Sequence, residues 1–173
     1  MNRKLDLNDY IRDIPDFPKE GILFRDITTL LIDPGATAQA LSELVELTNG
    51  FDIEKVVAIE SRGFFFGTQI AKELGVGFVP VRKPGKLPSN TISEEYDLEY
   101  GTNKLEIHTD AISKGDRVLI HDDVLATGGT ARAACKLVEK LGGVVVQCNF
   151  LLGIPFLKGR DLISDYDVRS VIE

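Results

Sequence analysis

The chain contains little of what metal sites and disulfide scaffolds require. Its 173 residues include two cysteines, Cys135 and Cys148, and two histidines. The cysteines form no C-x-x-C pair, and the histidines form no cluster with metal-ligand spacing. A zinc ribbon and a disulfide framework are therefore excluded, and we expect two buried, reduced thiols and no cluster of metal-ligating side chains. A single functional thiol is the alternative.

Long apolar runs and an excess of basic residues are also missing. No segment approaches the ~20 apolar residues that a membrane-spanning helix needs, and the opening MNRKLDLNDY lacks the apolar run of a signal peptide. Because 20 basic residues face 27 acidic ones, for a net charge of −7, nucleic acid and anionic membranes are poor partners. We expect a cytoplasmic protein that binds neither.

Apolar runs alternate with helical stripes along the chain, without internal repeats or low-complexity segments. The length and a hydrophobic content of 43% fit a single domain over residues 1–173. Asp33 and Pro34 form a typical helix start, an N-cap followed by proline at the first helical position. The pattern predicts strands at 56–59, 76–81, 117–120 and 144–152, and helices from residue 34, over 65–74 and after 130.

This alternation predicts an α/β fold, with a mostly parallel central sheet flanked by helices. In such sheets ligands bind beyond the carboxyl ends of the strands. The loops after Ile59, Val81 and Ile120 are therefore candidate binding loops.

Four stretches are less regular. Residues 5–13 predict a short helix, which the two prolines between residues 14 and 18 stop. Residues 21–31 are apolar and fit either a strand or an irregular buried segment. Residues 105–108 alternate as an exposed strand does. Residues 82–101 have little periodicity, and a loop of that length inside a domain is usually functional or disordered.

The segment 118–130, VLIHDDVLATGGT, carries the clearest chemical signal. An apolar strand leads into Asp122 and Asp123, then into a loop of small residues and a helix. Small residues allow backbone N–H groups to approach a phosphate. Thr127 and Thr130 add hydroxyl donors, and the N-terminus of the following helix favours an anion. The pattern predicts a site for one phosphate monoester.

Two better-known phosphate motifs are absent from this segment. No Gly-Lys-Ser/Thr follows the glycines, so it is not a Walker A loop, and no G-x-G-x-x-G occurs, so it is not a dinucleotide fingerprint. A plain strand-to-helix turn is the alternative. Because two carboxylates at the end of a buried strand need a partner, Asp122 and Asp123 favour a binding site, for ribose hydroxyls or for a divalent cation.

The same segment resembles the phosphoribosyl pyrophosphate motif of the type I phosphoribosyltransferases, and in particular their adenine-specific branch. Four further blocks match that branch in the same order, and together they span nearly the whole chain. These blocks are PDFPKEGILFRDIT at 15–28, ESRGFFFG at 60–67, the flap pieces RKPGKLP at 82–88 and LEYG at 98–101, and LKGR at 157–160.

The resemblance implies transfer of a 5-phosphoribosyl group from phosphoribosyl pyrophosphate to adenine, with Mg²⁺, giving AMP and pyrophosphate in purine salvage. It implies a homodimer, a base-binding segment over 1–33 and a mobile flap over 83–101. The residues that it assigns to phosphoribosyl pyrophosphate are Ser61, Arg62, Arg82, Lys83, Lys86, Asp122, Asp123, Ala126, Thr127, Gly128, Gly129 and Thr130. It assigns Leu23, Phe24 and Arg25 to adenine, Glu99 and Tyr100 to the flap, and catalysis to Glu99, Asp122 and Asp123.

Several residues keep a second interpretation. Arg82 and Lys83 also fit a solvated surface pair, Phe24 fits core packing as well as a base contact, and the run of three phenylalanines from residue 64 fits core packing. Tyr96 and Tyr100 also fit loop anchors.

The chain departs from the adenine-specific pattern at two positions. His121 stands where that branch has an apolar residue, and it fits either a tolerated strand-end residue or a group that titrates near the ribose. Gly153 stands where an acidic residue is expected, which puts the far wall of the base pocket in question.

Two rival functions follow from the same pattern. A phosphoribosyltransferase for hypoxanthine, guanine or xanthine shares the phosphate motif, although the block at 15–28 argues against it. A non-catalytic ligand sensor with this fold is the rival from another class, although such a protein should lack an intact flap or pyrophosphate loop.

Overall fold

The core of the molecule is a parallel five-stranded sheet with helices against both faces. The computed structural model describes residues 4–17, 19–97 and 102–173. The strands are β1 (Arg12–Pro15), β2 (Leu23–Asp26), β3 (Lys55–Ile59), β4 (Gly77–Val81), β5 (Thr91–Asp97), β6 (Thr102–His108), β7 (Arg117–Leu125), β8 (Val144–Gly153) and β9 (Val168–Ile172). The helices are α1 (Thr28–Ile32), α2 (Pro34–Glu46), α3 (Gly63–Leu74), α4 (Gly129–Lys140) and α5 (Gly159–Leu162), with 3₁₀ turns at Leu7–Tyr10 and Pro155–Leu157.

The order of strands in the sheet is β4, β3, β7, β8, β9, and every pair is parallel. Apolar residues of α2 and α3 pack on one face, whereas those of α4 pack on the other. The chain therefore leaves the neighbouring strands β3 and β7 toward opposite faces, which opens a crevice between their carboxyl ends. This arrangement confirms the predicted fold class.

The predicted helix start at Asp33 is confirmed. Its Oδ1 accepts a hydrogen bond of 2.8 Å from the N–H of Ala36, and Pro34 is the first residue of α2. The two thiols are buried, as expected, with 3.6 Å between the sulfur atoms of Cys135 and Cys148. No helix within the described ranges is long and apolar enough to span a membrane.

The helix predicted over 5–13 is wrong. One 3₁₀ turn forms at Leu7–Tyr10, and β1 then pairs antiparallel with β2. The apolar segment 21–31, which fitted either of two structures, contains β2 and α1. An extended partner is available to residues 12–15, and the proline that ends β1 cannot continue a helix.

The irregular loop predicted over 82–101 is wrong for its later part, because β5 pairs antiparallel with β6. Ile92, Glu94 and Tyr96 lie on the half-buried face of β5. Glu94 occupies the middle of that face and accepts hydrogen bonds from Lys136 (3.1 Å) and Lys140 (2.5 Å) of α4. A charged residue at an inward position conceals the alternation of a strand.

Candidate functional site

A cavity of about 750 Å³ opens at the carboxyl ends of β3, β7 and β8. Several segments that are distant in the sequence contribute to it, as expected for a crevice at the edge of a parallel sheet. The lining residues are Gly21, Ile22, Leu23, Phe24, Arg25, Glu60, Ser61, Arg62, Lys83, Tyr96, Asn103, Asp122, Asp123, Val124, Ala126, Thr127, Thr130, Ile154, Phe156 and Leu157.

Hydroxyl donors and a helix start lie at one end of the cavity. The loop after β7 reaches α4 through Gly128, whose φ of 85° lies in the left-handed region, and α4 begins at Gly129. The hydroxyls of Thr127 and Thr130, in this loop and at the start of α4, have no hydrogen-bond partner among the described residues. Together with the free N–H groups of the first turn of α4, these donors can bind a phosphate group.

The two adjacent carboxylates occupy different environments. β7 continues through them to Leu125, so they lie within the strand and not after its end. Asp123 is buried, and its Oδ2 accepts a hydrogen bond from Nε of Arg62. Oδ1 of Asp122 accepts one of 2.9 Å from the N–H of Asp123. Burial, and then the negative charge of Asp123, raise the pKa of Asp122 well above its usual value.

Arg62 also covers an aromatic side chain. Its guanidinium carbon lies 5.1 Å from the ring centroid of Phe24, within the range of a cation–π contact. Phe17 packs edge-on against the ring of Phe24, with 5.2 Å between the two ring centroids. A single arginine therefore joins the carboxylate of Asp123 to the apolar wall of the cavity at Phe24.

The adenine-assigned residues lie on β2 at this wall. Leu23 and Phe24 line the cavity, and Leu23 is half exposed. Arg25 also contributes to the lining, but its guanidinium donates to Asp13 (3.1 Å) and Asn8 (3.3 Å). The side chain of Arg25 therefore braces β2 against β1 and the 3₁₀ turn.

The structure separates the three basic residues predicted at the pyrophosphate. Lys83 is exposed and lines the cavity, without an ion pair among the described residues. Lys86 is exposed but does not line the cavity. Arg82 does not line it either, because its guanidinium donates to both carboxylate oxygens of Glu60 (3.1 and 3.2 Å) and to the carbonyl of Lys86 (3.2 Å).

Glu60 orders the start of this loop. Its Oε2 also accepts a hydrogen bond of 3.0 Å from the N–H of Lys83. Burial alone would raise the pKa of Glu60, but the hydrogen bonds from Arg82 and from Lys83 lower it below its usual value. Glu60 is therefore an anion that fixes Arg82 and presents Lys83 to the cavity.

Some lining residues were not assigned from the sequence. They are Glu60, Tyr96, Asn103, Val124, Ile154, Phe156 and Leu157. Residues 154–157 carry one sequence signal: they directly follow the predicted strand 144–152, and ligands bind beyond the carboxyl ends of parallel strands. Glu99 and Tyr100, assigned to the flap and to catalysis, lie outside the described residues, so their assignments stay predictions.

The two departures from the adenine-specific pattern have local explanations. His121 is buried away from the cavity, and its Nδ1 lies 2.8 Å from Oδ1 of Asn149. Gly153 is buried at the end of β8, and a Cβ added there would lie 3.0 Å from Oγ of Ser170. The far wall of the cavity is formed instead by Ile154, Phe156 and Leu157.

The three phenylalanines after Gly63 line no part of the cavity. Phe66 is fully buried, and Phe64 packs edge-on against Phe78 with 5.8 Å between centroids. Phe65 is exposed. Core packing is therefore the correct interpretation for Phe66, whereas Tyr96 both packs against the core and lines the cavity.

Comparison with known proteins agrees with this geometry. Residues 29–173 match the model of the phosphoribosyl transferase domain family. The chain is 63% identical over 166 residues to adenine phosphoribosyltransferase of Flavobacterium johnsoniae, covering 96% of this chain and 98% of that protein. It is 58% identical over 169 residues to that of Christiangramia forsetii, covering 98% and 99%.

Solved structures show the same relationship. A crystal structure of adenine phosphoribosyltransferase from Thermoanaerobacter pseudethanolicus has a TM-score of 0.94 at 53% identity, covering 96% of each chain. The enzyme of Saccharomyces cerevisiae, complexed with an imino-altritol bisphosphate and adenine, has a TM-score of 0.89 at 42% identity, covering 95% of each. The chain belongs to the adenine phosphoribosyltransferases of the phosphoribosyl transferase domain family.

Proposed function

We propose that the protein transfers the 5-phosphoribosyl group of phosphoribosyl pyrophosphate to N9 of adenine, releasing pyrophosphate and forming AMP in purine salvage. One observation carries the proposal: unpartnered phosphate donors, a carboxylate pair and an apolar wall line a single cavity. These three parts match the three parts of AMP, which are a phosphate, a ribose and a flat base.

The 5′-phosphate belongs at the start of α4. Thr127 and Thr130 would donate hydroxyl hydrogen bonds, and the residues from Ala126 to Gly129 would supply backbone N–H groups. The dipole of a 12-residue helix adds favourable charge at this end. Hydrogen bonds to a charged acceptor are worth roughly 1.5–3 kcal/mol each, so this end would anchor the substrate.

The ribose belongs at the carboxylate pair and the base at the apolar wall. Asp122 and Asp123 can accept hydrogen bonds from vicinal hydroxyls, with Asp123 held in place by Arg62. Adenine would lie between Phe24 on β2 and the side chains after β8, among them Leu157. The backbone of β2 would then recognise the edge of the base.

Departure of pyrophosphate leaves positive charge on the ribosyl group and strong negative charge on the leaving group. Lys83 and the N–H and hydroxyl groups at Ser61 would stabilise the leaving group. We propose that the flap over 83–101 closes over the bound substrates and excludes water. Glu99 would then act in proton transfer at the base, a kind of help that is typically worth ~10²–10⁴-fold in rate.

Mg²⁺ is the proposed cofactor, bound together with the substrate. Mg²⁺ is commonly held by one or two carboxylates plus substrate phosphates, and the donor set of Asp122, Asp123 and a pyrophosphate fits that chemistry. Within the described residues no group of three His, Cys, Asp or Glu side chains is placed to hold a metal. When bound, the ion would offset the negative charge of the leaving group.

We also propose a homodimer in the cytoplasm. The resemblance to the family motivates the dimer, and the exposed side chains of Ile32 and Phe65 offer apolar surface for it. Two free buried thiols favour a reducing compartment. Sedimentation at assay concentration tests the dimer, and a monomer alone would contradict it.

The activity is tested by measuring pyrophosphate release from phosphoribosyl pyrophosphate with each of adenine, hypoxanthine, guanine, xanthine and uracil. We expect release with adenine, dependent on Mg²⁺ or Mn²⁺ and abolished by a chelator. Faster turnover of hypoxanthine or guanine would favour the rival base assignment. Binding of phosphoribosyl pyrophosphate without turnover of any base would favour a ligand sensor.

A further inference from the structure

The segment 154–160 connects both ends of the proposed site. It leaves β8, makes the 3₁₀ turn Pro155–Leu157 and enters α5 through Lys158, whose φ of 56° is left-handed. Ile154, Phe156 and Leu157 line the cavity on the base side. The last residues of the same segment contact the loop 126–130, which is the proposed phosphate-binding loop and is called the phosphate loop below.

The contact with the phosphate loop is backbone against backbone. A Cβ added to Gly159 would lie 2.3 Å from the carbonyl oxygen of Ala126 and 3.0 Å from the nitrogen of Gly128. One added to Gly128 would lie 2.5 Å from the carbonyl oxygen of Gly159. Real Cβ atoms do not approach backbone so closely, so the two backbones pack directly against each other and residue 159 limits where the loop 126–130 can lie.

Arg160, the residue that follows Gly159, ties this segment to β9. Its Nη1 donates to the carbonyl of Val168 at 2.5 Å, and its Nη2 donates to Oγ of Ser170 at 3.3 Å and to the carboxylate of Glu173. All three acceptors belong to β9 or to the residue that follows it. A planar guanidinium presents its N–H donors in one rigid arrangement, whereas the three donors of a lysine ammonium group rotate on a flexible stem.

We propose that Arg160 is a positioning residue for the reaction: it locks the segment 154–160 to β9, and through Gly159 and Leu157 it sets the phosphate loop and the base wall together. The inference rests on the proposed function for the identity of the two ligands. It assigns β9, which contributes nothing to the cavity lining, an indirect part in binding both substrates.

The test compares Arg160→Met with Arg169→Met. Arg169 is a matched control, because it is an arginine of β9 itself, donates to a carbonyl (Leu47, 3.0 Å) and to a carboxylate (Asp167, 2.8 Å), and lines no part of the cavity. We expect Arg160→Met to raise KM for both phosphoribosyl pyrophosphate and adenine about tenfold, with kcat changed less than threefold. Arg169→Met should lower Tm and leave both KM values unchanged.

Arg160→Lys serves as the milder variant should Arg160→Met not fold, and its KM values should fall between those of the wild type and of Met. A drop in Tm with both KM values unchanged would reduce Arg160 to a structural residue. A rise in only one KM would contradict the joint positioning of both ligands.

A second measurement does not depend on turnover. Amide hydrogen exchange in the free protein should be faster over residues 126–130 in the Arg160 variant than in the wild type, and unchanged there in Arg169→Met. Equal exchange at this loop in all three proteins would overturn the inference, even if the wild type proved active. An inactive wild type with the expected exchange pattern would contradict the proposed function alone.

Discussion

The carboxylate of Asp123 and the guanidinium of Arg62 form a partly buried ion pair, and the same guanidinium lies over Phe24. Loss of the arginine would leave a buried carboxylate without its partner, which costs far more than a surface pair. The position of the proposed ribose site and that of the proposed base site therefore depend on one side chain.

We expect Arg62→Met to lower kcat/KM for adenine at least tenfold, because both contacts are lost. Asp123→Asn should also lower it, and the double variant should lose less than the sum of the two single losses, in free-energy terms. Arg117→Met, at the opposite end of β7, is the control and should keep normal kinetics. Strict additivity in steady-state assays would mean that the pair does not act as a unit.

The hydroxyl of Thr130 is expected to bind phosphate directly, since no described residue accepts from it. Thr130→Val keeps the shape and removes one donor to a charged acceptor, worth about 1.5–3 kcal/mol. The Kd for phosphoribosyl pyrophosphate should therefore rise about tenfold to 150-fold in calorimetric titration. The same change at exposed Thr109 should leave Kd unaltered. An unchanged Kd in Thr130→Val would remove this hydroxyl from the site.

We expect the buried side chain of His121 to make the protein less stable in mild acid. Burial lowers its pKa from 6.5 to about 4, against the opposing effects of Asn149 and of the negative charge of Asp123. Between pH 6.5 and about pH 4, His121 binds a proton in the unfolded chain but not in the folded protein. The free energy of unfolding therefore decreases as the pH falls through this range. Above pH 6.5 His121 is neutral in both states and has no such effect. Between pH 7.5 and 5.5 the decrease is about 1.4 kcal/mol.

Urea denaturation at these two pH values checks the prediction, with His121→Gln as the comparison. Glutamine does not titrate and retains an N–H for Asn149, so its stability should depend less on pH by about the same amount. The absolute stability of the variant is not the readout. Parallel losses in both proteins would place the titrating group elsewhere.

The regular part of the fold could be predicted from the sequence because its signals are local. The N-cap at Asp33 and the parallel strands follow from residues a few positions apart. The loop at 126–130 is predicted from small residues between a strand and a helix, and the structure has such a loop directly before and into the start of α4. Such patterns require no knowledge of what the segment will contact.

The sequence-based predictions fail where the structure of a segment depends on residues that are distant in the sequence. β5 was not recognised because Glu94 interrupts its apolar face, and the lysines that compensate it lie 42 and 46 residues further along the chain. The assignment of Arg82 to the pyrophosphate stays a prediction, but nothing in the sequence indicates that its guanidinium is bound by Glu60, 22 residues earlier. A sequence pattern shows that a charge is present, but not whether another side chain already pairs with it.

Lys83 and Lys86 provide the clearest test of this distinction. Both are exposed lysines of one loop, and both were assigned to the pyrophosphate, but only Lys83 lines the cavity. Lys83→Met should therefore raise KM for phosphoribosyl pyrophosphate about tenfold or more, because a cation beside the leaving group is lost. Lys86→Met should raise it less than threefold, and Lys72→Met, on the exposed face of α3, should not change it.

The salt dependence of KM separates contact from long-range attraction. An effect of Lys83 through direct contact with the pyrophosphate should persist at high ionic strength. An effect through long-range attraction should fade, because the Debye length shrinks to ~3 Å at 1 M salt. We expect the Lys83→Met effect to keep most of its size between 0.1 and 1 M KCl. Equal KM values for the Lys83 and Lys86 variants at low salt would contradict the separation. They would indicate that closure of the loop brings both lysines to the pyrophosphate.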